Sequence, residues 1–583
     1  MGAASRSAGR LGRSLVVLRP EPGRAVRAAR WCAAVAVGLV VSCLVFGPAL
    51  GSMGLIGAQA AQTGREAPMR NRVRMLLSVG AATLAMECIG ALAGPHAWLM
   101  PPLFGLLTLV IVWTWHALLI GPPGPINTLF AGAFSAYMTN HGYGLTTLLR
   151  VTGFSWLVAS LASVVILSLD LLAPEREAVN EADEAVSAYR DRPEDCPDRC
   201  SNRMRSRAVF AVNNAWHVLR TGRRRMTSRT AARRGIEERL MGIHLNLIDV
   251  LRAESFPTSS LDIGENFRRV PLGRPPVRYL LRTALDRGSR PWLVAGRACL
   301  AVLLGSTMMI ASPVGHAYWA ILSSLIVLHM GASRADMTIR AAHRVVGTGI
   351  GVLCYFGIIV LQPVPWIRVG IVVVMIYGLE VIVTRNYALA VVCITVFALM
   401  MTPVGSRADI AVLLRDRFVE TLIGVTAATG MIWLVGRRAP VLLVRSQYRR
   451  TLRRIEQVLA DLADGRLVTR ASREDRRTMV FELGRASEIL SSQRPDDPEA
   501  LSRWQSVQEE VNLFGFDVMA SCWRRLPGGD PAAGQAHDAL AALLGSLPPI
   551  SSRTIGTRAL TARISAIHWR YMSENSKRAR AGS

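Results

Sequence analysis

The stretch Trp292–Ala311, WLVAGRACLAVLLGSTMMIA, decides the fold class of this chain. It carries one charged residue, Arg297, among apolar and small side chains. At a rise of 1.5 Å per residue, a helix of this length is about 30 Å long, which matches the hydrocarbon core of a bilayer. The stretch therefore predicts a helix that crosses a membrane.

Segments of the same kind occur on both sides of it, in two blocks at about residues 29–172 and 292–437. Hydrophobic residues make up 51% of the chain, and the charges are concentrated in a few polar stretches. The further predicted spans are Trp31–Ala49, Gly51–Gln62, Val73–Gly94, Trp98–Gly121, Pro125–Met138, Leu145–Leu172, His316–Met330, Val345–Leu361, Trp366–Thr384, Tyr387–Pro403 and Phe418–Val435. We expect an all-α polytopic membrane protein with about twelve spans, six in each block.

The two blocks also repeat polar residues at nearly constant separation. The matched pairs, 267 to 270 positions apart, are Arg30 with Arg297, Arg70 with Arg340, Arg74 with Arg344, and Arg150 with Arg417. The alternative is that apolar helices resemble one another whatever their origin. The spacing favours a duplicated six-helix half, and transporters are often built this way, with the substrate path between the halves.

Five regions follow from this organisation. They are a basic N-terminus (1–28), an N-terminal transmembrane half (29–172), a helical linker domain (173–288), a C-terminal transmembrane half (289–438) and a helical C-terminal domain (439–583). Within the linker domain we expect a helix-like run over residues 203–254.

The Arg-rich segment Arg6–Arg30 predicts a cytoplasmic N-terminus, because basic residues are held on the cytoplasmic side. We therefore expect a multi-pass protein of the cell membrane whose two termini and two polar domains are cytoplasmic. In this topology Arg340 and Arg344 anchor a cytoplasmic helix entry, and Gly405–Arg417 is an outer loop. The alternative, a signal peptide cleaved near Ala58-Gln59-Ala60, would remove a helix that the second block retains.

The composition argues against several other classes. A net charge of +27 is better explained by anionic lipid beside a cytoplasmic surface than by nucleic acid, which we do not expect as a partner. Lys577 is the only lysine, so no P-loop is present. Gly347-x-Gly349-x-Gly351 is interpreted as a close-packing helix face. We find no catalytic motif and no metal-ligand set, since Cys196 and Cys200 lack two further ligands nearby. We therefore expect no enzyme, cofactor or metal.

The second block holds a succession of short motifs. In chain order they are Gly315-His316-Ala317-Tyr318-Trp319-Ala320, Thr338-Ile339-Arg340 with Arg344, Gly347-Thr348-x-x-Gly351, Tyr387-Ala388-Leu389-Ala390 with Ile394-Thr395, and Arg417-x-x-Glu420-Thr421-x-x-Gly424. Their order and spacing resemble the fusaric acid resistance or aromatic acid exporter family, often labelled FUSC-like. The first block resembles it poorly, because Ser78 stands where Thr348 would be and no Trp matches Trp319.

This resemblance implies an inner-membrane protein with two six-helix halves and cytoplasmic domains. It also implies export of aromatic or other amphipathic organic acids, driven by the proton gradient. Expected partners are the lipid bilayer and a small organic anion, with a second copy of the chain and an adaptor protein as further candidates. Two alternatives stay open, namely a passive anion channel and a membrane scaffold whose polar domains bind partners.

Charged residues inside spans are costly and usually face a cavity or a partner, so they are the candidate site residues. Candidates for contact with the anion are Arg30, Arg297, Trp319, Arg340, Arg344, Thr348 and Arg417. Candidates for proton coupling are Glu87, His116, Glu380 and Glu420, of which His116 and Glu380 occupy matched positions in the two blocks. The alternatives are interfacial anchoring, an interhelical hydrogen bond, and pairing of Glu420 with Arg417 across one helical turn.

Overall fold

The computed structural model describes most of the chain. The described residues are 24–64, 67–121, 124–168, 171–193, 198–221, 231–255, 274–286, 288–312, 318–329, 334–402, 407–435, 439–492, 498–522, 528–550, 552 and 556–581. Every regular element within them is a helix. The chain divides into two compact units, which we call the membrane unit (Met1–Leu171 with Arg290–Arg437) and the polar unit (Leu172–Ser289 with Arg438–Ser583).

Several features singled out from the sequence lie outside these described residues. They are most of the basic N-terminus, the Gly315–Ala317 part of the first motif, and Cys196.

The membrane unit contains two sets of helices. The first set is α1 (Arg24–Phe46), α2 (Pro48–Gly51), α3 (Leu55–Ala60), α4 (Met69–Ala93), α5 (Met100–Leu118), α6 (Ile126–Asn140) and α7 (Leu145–Ser168), with short 3₁₀ turns at Ser52–Gly54 and Ala97–Leu99. In the polar unit α8 (Ala173–Arg190), α9 (Asp198–Thr221), α10 (Ala231–Ser255) and α11 (Val277–Ala284) follow. The second set of the membrane unit is α12 (Arg290–Ile310), α13 (Tyr318–Leu328), α14 (Arg334–Val360), α15 (Pro365–Ile382), α16 (Tyr387–Met400) and α17 (Arg407–Leu434).

Seven of the described helical segments are long and apolar enough to cross a bilayer. They are Arg24–Phe46, Met69–Ala93, Ala97–Leu118, Leu145–Ile166, Arg290–Ile310, Asp336–Val360 and Pro365–Ile382. Tyr318–Leu328 and Tyr387–Met400 are apolar but shorter. The all-helical membrane fold is therefore confirmed at this level, and the count of twelve spans stays a prediction.

Small residues let the membrane helices approach closely. A Cβ on Gly347 would lie 2.5 Å from the carbonyl oxygen of Ala388, which presses α14 against α16. A Cβ on Gly424 would lie 2.5 Å from the carbonyl oxygen of Ala320, which presses α17 against α13. The glycines of 347–351 thus pack helices, as the sequence predicted.

The core of the membrane unit joins the two sets. Helix α5 of the first set packs along α12 of the second, with Phe104, Val112 and Val302 fully buried between them. The rings of Trp113 and Trp292 meet at 6.2 Å on the same interface. Helix α15 of the second set packs in turn against α1 of the first, although less extensively.

Two expected boundaries were wrong. Gly405–Arg417 was expected to be an outer loop, but α17 already begins at Arg407. Arg344 was expected at a helix entry, yet it lies within α14, which begins at Arg334. The physical reason is that a helix satisfies its own backbone hydrogen bonds, so it continues through a charged flank that a hydropathy pattern counts as loop.

The polar unit is helical as well. After α8–α11 it consists of α18 (Ala439–Ala463), α19 (Arg470–Ser492), α20 (Pro498–Ser521), α21 (Pro531–Ser546) and α22 (Thr557–Ala581). Helix α18 is central, since Tyr448, Leu452, Ile455 and Leu459 form one fully buried face at helical spacing. The run expected over residues 203–254 consists of two separate helices, α9 and α10, that pack against each other and α8.

A histidine clamp joins α20 to α22 in the polar unit. The His568 ring nitrogens lie 3.0 Å from Glu510 Oε1 and 2.6 Å from Asp517 Oδ2. Burial alone lowers the pKa of His568, but the hydrogen bonds and negative charges of Asp517 and Glu510 outweigh it and raise the pKa to about 9. The fold therefore favours the protonated ring.

This raised pKa predicts a pH-dependent contribution to stability. It is fully present below the unfolded-state pKa of about 6.5 and is lost as the pH rises through the folded-state pKa of about 9. Its size is about 3 kcal/mol at low pH. We expect His568→Gln to lower the melting temperature at acidic pH and to lose this disadvantage in alkaline buffer. A wild-type minus variant difference in melting temperature that is independent of pH would contradict the clamp.

Close packing of α17 on α13 predicts a cost for any side chain at position 424. Gly424→Ala should destabilise the membrane unit by about 1–3 kcal/mol, because the backbone of α13 must shift. The matched control is Gly430→Ala in the same helix, where a Cβ meets nothing within 4 Å. Thermal melting in detergent compares the two, and equal melting temperatures would exclude the close contact.

Candidate functional site

Two fully buried arginines form the centre of the candidate site. Arg344 on α14 is 0% exposed, and Arg417 on α17 is 1% exposed. The two helices pack against each other, so that the positive charge of Arg344 acts on Arg417. Burying two like charges together is unfavourable unless something compensates them.

The protein compensates these charges only in part. Glu420, one turn after Arg417, is 2% exposed, and its negative charge acts on Arg417. No direct ion pair joins the two side chains within 4 Å, and Glu420 Oε2 has no hydrogen-bond partner. Their expected pairing across one turn is therefore electrostatic and lacks a hydrogen bond.

Several guanidinium N–H groups of this centre are left without a partner. They are Nε and Nη1 of Arg344 and all three nitrogens of Arg417. A buried donor without an acceptor costs free energy, and more so when it is charged. These charged donors therefore have no acceptor among the described residues, and a negatively charged group would match them best.

Aromatic rings line the centre. The Arg417 Cζ atom lies 3.7 Å from the centroid of the Trp319 ring, a cation–π contact that partly offsets the burial of the charge. The Tyr387 hydroxyl is near Arg344 but does not reach hydrogen-bonding geometry. Arg340 makes a cation–π contact with the Tyr387 ring, with its Cζ 5.0 Å from the ring centroid.

Unpaired hydroxyls complete the lining. Thr348 lies one helical turn after Arg344, and its Oγ1 is buried without a partner. Thr395 on α16 also has a buried, unpartnered Oγ1, and it packs where a Cβ on Gly351 would lie. Both are neutral donors that could assist an anion beside the arginines.

The first set of helices closes the site through α6. The Phe130 and Trp319 rings meet at 5.5 Å, and those of Tyr137 and Tyr318 at 5.3 Å. Asn140 Nδ2 donates to the Tyr318 hydroxyl at 2.5 Å. The centre therefore lies where the two sets of helices meet.

The other proposed anion contacts lie elsewhere. Arg30 is exposed on α1, whereas its matched residue Arg297 is buried and donates from Nη2 to the carbonyl of Val435 at 3.2 Å. Arg297 therefore sits at the far end of α17 from Arg417.

The other proposed proton carriers occupy three separate places. Glu380 Oε2 lies 3.7 Å from Arg24 Nη2, and Arg24 Nε also donates to the Glu380 carbonyl at 2.8 Å. Glu87 accepts from the Thr152 hydroxyl at 2.7 Å through Oε1, while its Oε2 is buried without a partner. His116 Nε2 lies 2.9 Å from the carbonyl of His329.

Sequence reasoning missed three contributors, namely Arg24, Tyr137 and Asn140. Arg24 lies among the closely spaced arginines of the N-terminal segment, and nothing in their pattern distinguishes the one that reaches Glu380. Tyr137 and Asn140 belong to the block with the weaker resemblance. In the part of the chain that the structure describes, no three His, Cys, Asp or Glu residues are grouped as a metal site would need.

The apolar helices and this buried cationic centre define a multi-pass helical membrane protein. Residues 298–431 match the family model described as fusaric acid resistance protein-like. This match confirms the resemblance of the second block, and it contains Trp319, Arg344, Arg417 and Glu420. No curated protein and no solved structure matches the chain.

The incomplete compensation of the centre predicts a gain in stability when one charge is removed. Arg344→Met leaves Arg417 and Glu420 as a balanced pair, and replacing buried charges by apolar groups stabilises proteins by about 1–4 kcal/mol in favourable cases. We expect its melting temperature in detergent to rise. Arg340→Met, one turn earlier on the half-buried surface of α14, is the control and should give no rise. A fall in the melting temperature of Arg344→Met would show instead that partners in the protein stabilise Arg344.

Proposed function

We propose that this protein is a membrane transporter for organic anions and that Arg344 and Arg417 bind the anion. The observation that carries the proposal is the set of unpartnered guanidinium N–H groups on two fully buried arginines. An anionic ligand satisfies these donors with charge-assisted hydrogen bonds, and a carboxylate matches the planar guanidinium in a bidentate manner.

The surroundings favour an anion with an apolar part. The Trp319 ring faces Arg417, and Phe130 lies behind it at 5.5 Å between centroids. A purely inorganic anion would use the arginines but gain nothing from these rings. We therefore propose amphipathic organic acids, aromatic ones included, as the substrate class.

The arrangement of helices supports a path between two duplicated halves. The long helices follow one another in the same order in both sets, so that α4 and α6 correspond to α14 and α16. Both of these pairs are in contact, α4 with α6 and α14 with α16. The arginine centre belongs to the second set, while α6 of the first set covers it through Phe130 and Tyr137. Relative movement of two halves around such a site is how many transporters give alternating access.

Location and partners complete the proposal. We propose that the protein lies in the cell membrane with both termini in the cytoplasm, because basic residues flank its first helices. An adaptor protein is a proposed partner that rests on the family resemblance alone, and a second copy of the chain is a further candidate partner.

Flux measurements in proteoliposomes test the function. We expect the wild type to move radiolabelled benzenesulfonate, an aromatic anion that does not cross lipid unaided. Arg417→Gln should reduce this flux at least about tenfold, because a charge-assisted hydrogen bond contributes about 1.5–3 kcal/mol. Arg150→Gln is the matched control, since Arg150 occupies the corresponding position in the first set but is exposed.

The outcomes separate the alternatives. Equal flux in Arg417→Gln and wild type would exclude the arginine centre as the binding site. Flux without saturation or counterflow would favour a passive channel. A protein that moves no aromatic anion, and whose cellular role is lost when residues 439–583 are deleted, would instead be a scaffold.

A further inference from the structure

Among the residues that the structure describes, Glu420 is the carboxylate whose charge acts on Arg417, and it can couple protons to transport if the proposed function holds. The Glu420 carboxylate and an incoming anion are both negative, and the same positive charge, that of Arg417, stabilises each of them. Arg417 has no hydrogen-bond partner, so neither acceptor is already committed to it. Each negative charge placed beside Arg417 makes the second one less favourable.

We propose that Glu420 couples protons to transport by competing with the anion for Arg417, so that proton and anion bind together and cross the membrane together. Protonation of the carboxylate removes the competing charge and strengthens anion binding. By reciprocity, a bound anion favours protonation of Glu420 by the same factor. The proton adds to a carboxylate oxygen of Glu420 on one side of the membrane and leaves to water on the other.

The surrounding charged and titratable groups determine how strongly the protonation of Glu420 responds to a bound anion. On its own helix, Asp416 acts on Glu420 but is engaged with Arg415 at 2.8 Å. On the packed elements, the charge of Glu420 acts on Tyr318 of α13 and Tyr137 of α6. Arg344 of α14 acts on Arg417, Tyr387 of α16 lies near Arg344, and the ring of His343 stacks on that of Tyr387. Arg297 of α12 lies at the far end of α17. Arg344 and Arg417 are the two fully buried arginines in this set, and both favour the bound anion.

The other titratable candidates are less suited to this role. Glu380 is held by Arg24, Glu87 accepts from Thr152, and His116 contacts the carbonyl of His329. None of these contacts involves Arg344 or Arg417. Their protonation therefore has no direct effect on the charge of the arginine centre.

The sign of the coupling has a direct consequence for transport. A monoanion that crosses with one proton transfers no net charge, so its flux does not respond to the membrane potential. A proton gradient that is alkaline inside drives uptake through this site. Export requires an outward concentration gradient of the acid itself, in contrast to the proton-driven export that the family resemblance implies.

Calorimetric titration of the full-length protein with benzenesulfonate tests the coupling, because this probe stays ionised at every pH used. We expect its dissociation constant to rise at least about tenfold from mildly acidic to mildly alkaline buffer, as the like-charge interaction at short range is worth several-fold to a hundredfold. Glu420→Gln mimics the protonated carboxyl, so it should bind tightly at every pH. Glu420→Asp should keep the pH dependence.

Two controls address other origins of a pH dependence. Asp416→Asn tests the neighbouring carboxylate, and Glu380→Gln tests the carboxylate beside Arg24. Both should retain the wild-type dependence of the dissociation constant on pH. A loss of that dependence in either variant, together with its persistence in Glu420→Gln, would assign coupling to another group and overturn the proposal.

Failure of the coupling and failure of the function give different results. Binding that is equally tight at every pH in the wild type, with flux that follows the membrane potential, overturns the coupling and leaves an organic-anion transporter. Absence of binding at every pH and absence of flux overturn both. Flux in proteoliposomes that responds to a pH gradient but not to an imposed potential supports both.

Discussion

The burial of two guanidinium groups in an apolar helix bundle is the constraint on which the site depends. Arg344 and Arg417 are removed from water, and one carboxylate, Glu420, offsets them without a direct ion pair. Such a centre persists only because the helices around it are packed tightly enough to hold it. Gly347, Gly351 and Gly424 provide that packing, since each lets a neighbouring helix come within contact distance.

The same constraint explains why the two sets of helices differ in chemistry. The matched arginines Arg150 and Arg74 of the first set are exposed, whereas Arg417 and Arg344 of the second are buried. The first set instead provides apolar and aromatic cover, through Phe130 and Tyr137 on α6. In the described part of the chain, the second set thus carries this cationic centre and the first set covers it, as the proposed path between the sets requires.

Much of the fold and part of the candidate site could be predicted from the sequence, whereas the grouping of the site residues could not. Apolar segments such as Trp292–Ala311 predicted their helices, because a membrane leaves the backbone few alternatives. The list of candidate residues already contained Trp319, Arg344, Thr348, Arg417 and Glu420. It also contained Arg30, Arg297 and Glu380, since spacing along the chain cannot tell an exposed arginine from one that meets a carbonyl or a carboxylate. Arg24, the partner of Glu380, was missed for the same reason.

The sequence by itself therefore determined the helical membrane class, the family resemblance of the second block, and the kinds of side chain that the site would use. Hydrophobicity and residue type are local properties, and they suffice for those conclusions. Only the tertiary structure decided which charges share one buried centre. That depends on contacts between α13, α14 and α17, and on the cover from α6, between residues far apart in the chain. Their pairwise distances and their exclusion from water arise only when the helices pack.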